Sequence, residues 1–226
     1  MSGIPRLVVG GTSSGVGKTT IVVGLAGALQ RRGMNVVCFK CGPDYLDPTY
    51  HRRVGSGSCQ NLDGWMMGRD AVLSTFALGS EGADIALIEG VMGLFDGASP
   101  TDEAGSTAEI AKWLQAPVLL SIDASGMART VAAVAHGLAH FDPDLQVAGL
   151  VTNRVGSRGH LDLLRKASRE VPVLGGLPKQ PEKTFPERHL GLRTASDQEA
   201  VGQELFDHWA DLVEEWFDLD RLLERA

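Results

Sequence analysis

The run Gly10-Gly11-Thr12-Ser13-Ser14-Gly15-Val16-Gly17-Lys18-Thr19-Thr20 joins small residues, one lysine and two hydroxyls in a spacing suited to holding a polyphosphate. Small side chains let backbone N–H groups converge on phosphate oxygens, and a helix N-terminus adds a favourable dipole. In that arrangement Lys18 reaches the β- and γ-phosphates of ATP, and the Thr19 hydroxyl sits on Mg²⁺. The flanks agree. Leu7-Val8-Val9 reads as a strand before the loop, and Ile21 to Leu29 reads as a helix after it. The expected nucleotide-binding residues are Gly11, Thr12, Ser13, Ser14, Gly15, Val16, Gly17, Lys18, Thr19 and Thr20. One position departs from G-x4-G-K-[ST]: Thr12 stands where the first glycine is usual, with Gly11 one place early.

Three other segments carry polar residues just after apolar runs. In Lys40-Cys41-Gly42-Pro43-Asp44-Tyr45-Leu46-Asp47-Pro48, two carboxylates three positions apart could hold Mg²⁺, which prefers oxygen ligands. Lys40, at a strand end, could offset charge on a transferring phosphoryl group. A Pro/Gly/Asp turn is the plainer alternative. In Ile88-Glu89-Gly90-Val91-Met92-Gly93-Leu94-Phe95-Asp96-Gly97, Glu89 ends an apolar strand, where it can ligand Mg²⁺ directly or through water. In Thr152-Asn153-Arg154-Val155-Gly156-Ser157, the Asn153 amide either reads the adenine edge or caps a turn.

These residues need a scaffold that brings strand ends together. Apolar runs alternate with amphipathic stretches, which predicts an α/β fold of the P-loop type, a mostly parallel sheet with helices on both faces. Strands are expected at Arg6–Val9, Asn35–Lys40, Ile85–Ile88, Val118–Ile122, Val147–Thr152 and Val171–Leu174. Helices are expected over 18–31, 69–78, 107–115, 127–140 and 158–169. Ligands in such sheets sit beyond the carboxyl ends of the strands, which selects 10–19, 40–53, 89–98, 123–126 and 153–160. Residues 1–195 are expected to form one P-loop domain, with 175–194 an ordered functional loop or a linker. Residues 196–226 should form an amphipathic helix whose Trp and Leu stripe packs on that domain or extends it.

With 226 residues, a net charge of −7 and no long apolar run, the chain reads as soluble, with no general attraction to nucleic acid or membrane. The first strand begins within a few residues, leaving no room for a secretory leader, so a cytoplasmic location is expected. The three cysteines form no disulfide framework. Cys38 and Cys41 make a C-x-x-C pair, but no second ligand pair follows, and the pair ends a strand rather than opening a helix. His136 and His140 are an i,i+4 pair without a nearby acid in the sequence, which favours a surface or core role over a metal site.

Together the segments resemble the ATP-binding synthetase domain of the cobyrinic acid a,c-diamide synthase family. The resemblance rests on GTSSGVGKTT, FKCGPDYLDP with His51, NLDGWMM, IEGVMGLFDG, GSTAEIAKWL, DASGMART, TNRVGS and PERHLGL, in the family's order from residue 8 to about 192. The family is similar in its nucleotide core to dethiobiotin synthetase, which shares the displaced glycine. The resemblance implies ATP- and Mg²⁺-dependent ligase chemistry in cobalamin biosynthesis. A carboxylate of a corrinoid is phosphorylated, and ammonia then displaces phosphate to leave the amide. It implies Lys18, Lys40, Asp44 and Asp47 as the catalytic set, and Thr19, Asp47 and Glu89 as Mg²⁺ ligands with Asp44 a further candidate. Tyr45 and Leu46 would face the macrocycle, with His51, Arg52 and Arg154 on the substrate side. Arg53 and Arg188 are further partners for carboxylates or phosphates. Expected partners are the corrinoid and a glutaminase domain or subunit that supplies ammonia, and a homodimer is left open. Family members carry that glutaminase after the synthetase domain, and the sequence here ends at Ala226 without its Cys–His–Glu triad.

Two rivals keep part of this reading. The same chemistry could act on hydrogenobyrinic acid or a nickel sirohydrochlorin. A ParA/MinD-like switch ATPase shares the fold, but usually carries an extra lysine where Ser13 stands here.

Overall fold

A computed structural model describes residues 3–185 and 201–226. Val, Ile and Leu dominate the central strands and are buried on both faces, as strands covered by helices on either side require. The strands are β1 (Arg6–Gly11), β2 (Val36–Cys41), β3 (Cys59–Leu62), β4 (Ile85–Glu89), β5 (Val118–Asp123), β6 (Val147–Val155) and β7 (Val173–Pro178). They form one sheet in the order β3-β2-β4-β1-β5-β6-β7, and every pairing is parallel. This is the α/β class expected.

Helices α1 (Lys18–Arg31), α2 (Asp47–Val54), α3 (Gly64–Gly79), α4 (Thr107–Leu114), α5 (Thr130–His140) and α6 (Arg158–Ala167) form the crossovers, and α7 (Gln203–Trp216) and α8 (Leu219–Leu223) follow. Alternation along the strands divides the core in two. Leu7, Val9, Ile85 and Leu87 pack with α1, α2, α7 and α8. Val8, Ala86, Ile88 and Phe39 pack with α3 to α6.

Four features differ from expectation. The segment 40–53 is not all loop, because α2 begins at Asp47. Pro48 suits a first turn, where its missing N–H would have had no partner. Strand β3 was not expected, since Cys59-Gln60-Asn61-Leu62 is short and half polar; it sits at the sheet edge, where burial demands least. Helix α3 starts five residues earlier than its apolar pattern suggests. The Asp63 carboxylate accepts from Trp65 N and Met66 N at 3.0 Å each, and the helix breaks at Gly68, whose φ is +74°. Finally, β7 runs into the segment read as loop or linker. Gly175 stays in the strand because Phe217 lies against it, where a Cβ would come within 2.4 Å of the ring.

Helix α7 lies on α1 at very close range. A Cβ on Gly24 would sit 2.8 Å from Trp209 O, and one on Gly27 would sit 2.9 Å from Ala210 Cβ. Phe206, Trp209 and Val213 are buried at this seam. Gly24→Ala is therefore expected to cost about 1–3 kcal/mol by overpacking against backbone, despite the better helix propensity of alanine. Urea unfolding measures it, and an unchanged or raised midpoint would contradict the seam.

Candidate active site

The phosphate loop is shaped by residues outside it. Gly15 and Gly17 take φ of +73° and +97°, and a Cβ on Gly17 would fall 2.0 Å from Asn153 Nδ2. Both strain and space thus require glycine there. Thr12 keeps an ordinary φ, and its N–H is donated to Ser121 O at 3.2 Å, so the first-glycine position needs no glycine here. From β6, Asn153 Nδ2 donates to Val16 O at 2.8 Å, and its Oδ1 accepts from Arg154 N at 2.8 Å. Asn153 therefore braces the loop, while one amide donor and one lone pair remain for a base edge. The Arg154 guanidinium donates to Gly15 O at 2.8 Å and pairs with Asp123. This sets Arg154 on the loop's flank, where it also lines the cleft.

Behind the loop, the ends of β2 and β4 and the start of α2 bring charge together. Thr19 Oγ1 donates to Glu89 Oε1 at 2.7 Å. Lys40 Nζ lies 3.1 Å from Asp47 Oδ2 and 3.0 Å from Glu89 Oε1, and donates to Gly90 O at 2.7 Å. All three of its N–H bonds are thus committed, two to carboxylates and one to a main-chain oxygen. His51 Nε2 meets Glu89 Oε2 at 2.5 Å. His51 is fully buried and is absent from the cleft lining, so its observed role is support of Glu89. Asp44 Oδ1 accepts from Leu46 N at 2.9 Å and Asp47 N at 3.3 Å, so it shapes the entry to α2 while lining the cleft. Arg53 stacks over Phe206 at 4.2 Å and donates to Val201 O, away from the cleft lining; Arg52 is exposed on α2. Arg188 lies outside the described residues.

The electrostatics follow from this packing. Burial alone would raise the Glu89 carboxyl, but Lys40, His51 and the Thr19 hydroxyl outweigh it and hold the group at about 2. Asp47 goes the other way: desolvation and the neighbouring Glu89 push it up to about 6 against the pull of Lys40. One buried and one half-buried carboxylate thus share one lysine, with a hydroxyl beside them. That is a hard-oxygen donor set short of positive charge, and it suits Mg²⁺. Lys18 Nζ reaches Ser13 O at 3.0 Å and Met92 O at 2.6 Å, and burial lowers its ammonium to about 8.

These groups line one cleft of about 640 Å³, together with Gly15, Gly17, Thr20, Asn153 and Arg154. Its far wall is formed by residues sequence reasoning did not single out, among them Lys179, Gln180, Lys183 and Phe185. Their signal was the Gly-, Pro- and charge-rich stretch after the last strand. Asp123 and Asp96 were also missed; the latter fixes the loop after β4 by accepting from Gly93 N at 2.9 Å. Tyr45 is 87% exposed, beyond the end of β2, and Trp65 and Met66 are exposed beyond the end of the neighbouring β3. The three cysteines are buried, with the Cys41 and Cys59 thiols pushed up to about 12 by burial, so neither behaves as a thiolate nucleophile or metal ligand.

Residues 7–192 match the family described as the CobQ/CobB/MinD/ParA nucleotide binding domain. A cobyrinate a,c-diamide synthase from Leptospira interrogans serogroup Icterohaemorrhagiae serovar copenhageni is 57% identical over 99% of this chain and 49% of its own length. The same-named protein of Syntrophotalea carbinolica is 51% identical over 98% of this chain and 49% of its own length. That of Archaeoglobus fulgidus is 44% identical over 99% and 49% respectively. The chain spans about half the length of the curated relatives it matches.

Proposed function

The chain belongs to the cobyrinate a,c-diamide synthase family, within the wider CobQ/CobB/MinD/ParA nucleotide-binding group, and from that premise we propose that it is the carboxylate-activating half of a corrinoid amide ligase. The observation that carries the reading is the joining of Lys18, Thr19, Asp47 and Glu89 in one cleft, with Tyr45 exposed beyond the end of β2 and Trp65 beyond the end of β3. A carboxylate is a poor electrophile. Its oxygen attacks the γ-phosphorus of ATP, ADP departs, ammonia adds to the acyl carbon and phosphate leaves. The backbone of residues 13–19 and Lys18 would hold the polyphosphate. Thr19, Asp47 and Glu89 would hold Mg²⁺, which neutralises phosphate charge during transfer. Lys40 and His51 keep Glu89 ionised and oriented. Tyr45, Leu46, Trp65 and Met66 offer a surface for the face of a macrocycle, with Arg52 near its acidic edge.

Cobyrinic acid, amidated on its a and c acetates, is the proposed substrate. Hydrogenobyrinic acid is the neighbouring alternative. Ammonia would come from glutamine through a glutaminase partner. The deciding experiment incubates the protein with ATP, Mg²⁺, ammonium and a panel of tetrapyrrole acids, read by mass spectrometry. Loss of about one mass unit per acid converted, with one ADP each, supports the reading. ATP hydrolysis without amide formation supports a switch ATPase instead, although Ser13 in place of the extra lysine argues against that.

A proton balance tests the assignment of Lys18. Its ammonium is lowered to about 8 by burial, and a bound polyphosphate restores it. Below that pH the group is already charged and ATP binding takes up little; above it, uptake should approach one proton and affinity should fall. Calorimetry in buffers of differing ionisation enthalpy measures this. Uptake that does not rise through pH 8 contradicts the role.

A further inference from the structure

We propose that His136, His140 and Glu170 form a surface site for a borderline transition-metal ion, best matched by Zn²⁺, with a fourth position open to water. The sequence offered two histidines one turn apart and no acid beside them. The fold supplies the acid. Glu170 lies in the turn between α6 and β7, and its two oxygens divide between the rings at the end of α5. Oε2 is 2.9 Å from His136 Nδ1, and Oε1 is 3.2 Å from His140 Nε2.

The tautomer is the informative detail. His140 Nδ1 lies 2.9 Å from the His136 main-chain oxygen, to which it can only donate. In the neutral ring this leaves Nε2 as a lone pair facing a carboxylate oxygen, so two acceptors oppose each other. A proton or a metal ion between them resolves that opposition. An imidazole N–H given to a main-chain carbonyl is also the usual outer support of a metal-bound histidine. The dimensions fit. A tetrahedral ion with bonds of about 2.0–2.1 Å holds its ligand atoms roughly 3.3 Å apart. The two nitrogens lie 2.9 and 3.2 Å from different oxygens of the carboxylate, and one donor atom from each of the three residues lies within 4.8 Å of the others, in reach of one ion after side-chain adjustment.

Two imidazole nitrogens and one carboxylate suit zinc and its neighbours, while Mg²⁺ and Ca²⁺ favour oxygen shells. Both α5 and the turn holding Glu170 meet at the amino ends of the strands, opposite the cleft. A bound ion would tie α5 to the α6–β7 turn without entering the chemistry. The side chains are 60%, 53% and 60% exposed, which points to micromolar rather than tighter binding.

The test titrates metal-stripped protein with zinc sulfate by calorimetry, in excess Mg²⁺ so that the oxygen site behind the phosphate loop is occupied. One equivalent should bind, and His140→Ala and Glu170→Gln should each weaken it about tenfold or more. Both variants lie on the surface, and circular dichroism checks their fold. Zinc should also raise the melting temperature of the parent but not of the double variant. No saturable binding below millimolar zinc overturns the proposal, as does unchanged affinity in either variant.

Discussion

Lys18→Ala should reduce phosphorylation of the substrate carboxylate by about 10³-fold or more, the scale expected when a cation aimed at a transferring phosphoryl group is removed. The fold should survive. Lys18 Nζ contacts only the carbonyls of Ser13 and Met92, so its loss strands no buried opposite charge. Its ammonium is desolvated, which lowers it to about 8, and removing it relieves that cost. Stability at neutral pH should therefore hold or rise slightly. Hydroxylamine trapping of the activated carboxylate, with ADP release measured in parallel, reads the effect. Near-normal amidation by a folded variant would sink the assignment.

Glu89→Gln should damage both turnover and stability, because Glu89 is the shared partner of Thr19, Lys40 and His51. A glutamine keeps the shape but not the charge, leaving Lys40 3% exposed with Asp47 as its remaining counterion. Breaking a buried pair costs roughly 3–5 kcal/mol, and the retained amide should put this substitution near the lower end. The pH dependence fixes the sign. The Glu89 carboxyl is held at about 2, below its ordinary 4.5, so its stabilisation is fully present above 4.5 and fades as pH falls toward 2. The gap between parent and variant in urea unfolding should thus be wide at pH 7 and narrow in acid. Turnover should demand much more Mg²⁺, while corrinoid affinity changes little. If turnover and corrinoid affinity fall together, or neither falls, Glu89 is not a metal ligand.

How much of this was legible in the sequence varied with how local the cause was. The phosphate loop and α1 were readable because strand, glycines, lysine and helix are contiguous, and α1 begins at Lys18 as its pattern predicts. The central strands were readable because apolar runs buried on both faces leave a plain signature. β3 was missed because an edge strand can be short and polar. Asp47 looked like part of a loop because the turn leading into α2 is held by the Asp44 carboxylate, through bonds composition does not reveal. Within the site, residue types were informative and roles were not. Lys40 and His51 were taken for groups facing ligand, yet both are buried and both engage Glu89. Such burial depends on neighbours 38 and 49 positions away. The Glu170 carboxylate beside His136 has the same origin, a contact across 34 positions.

The convergence of Lys40, His51 and Thr19 on one carboxylate also bears on how this sequence can drift. A lineage that replaces Glu89 alone inherits a buried lysine and an enclosed histidine that each lose a partner. The tolerated routes are those in which the other positions change with it or shortly after. Relatives that have abandoned nucleotide chemistry should therefore lose the group as a block. Descendants that keep the lysine and histidine should be found to keep the glutamate, even where the rim that meets the substrate has been rewritten.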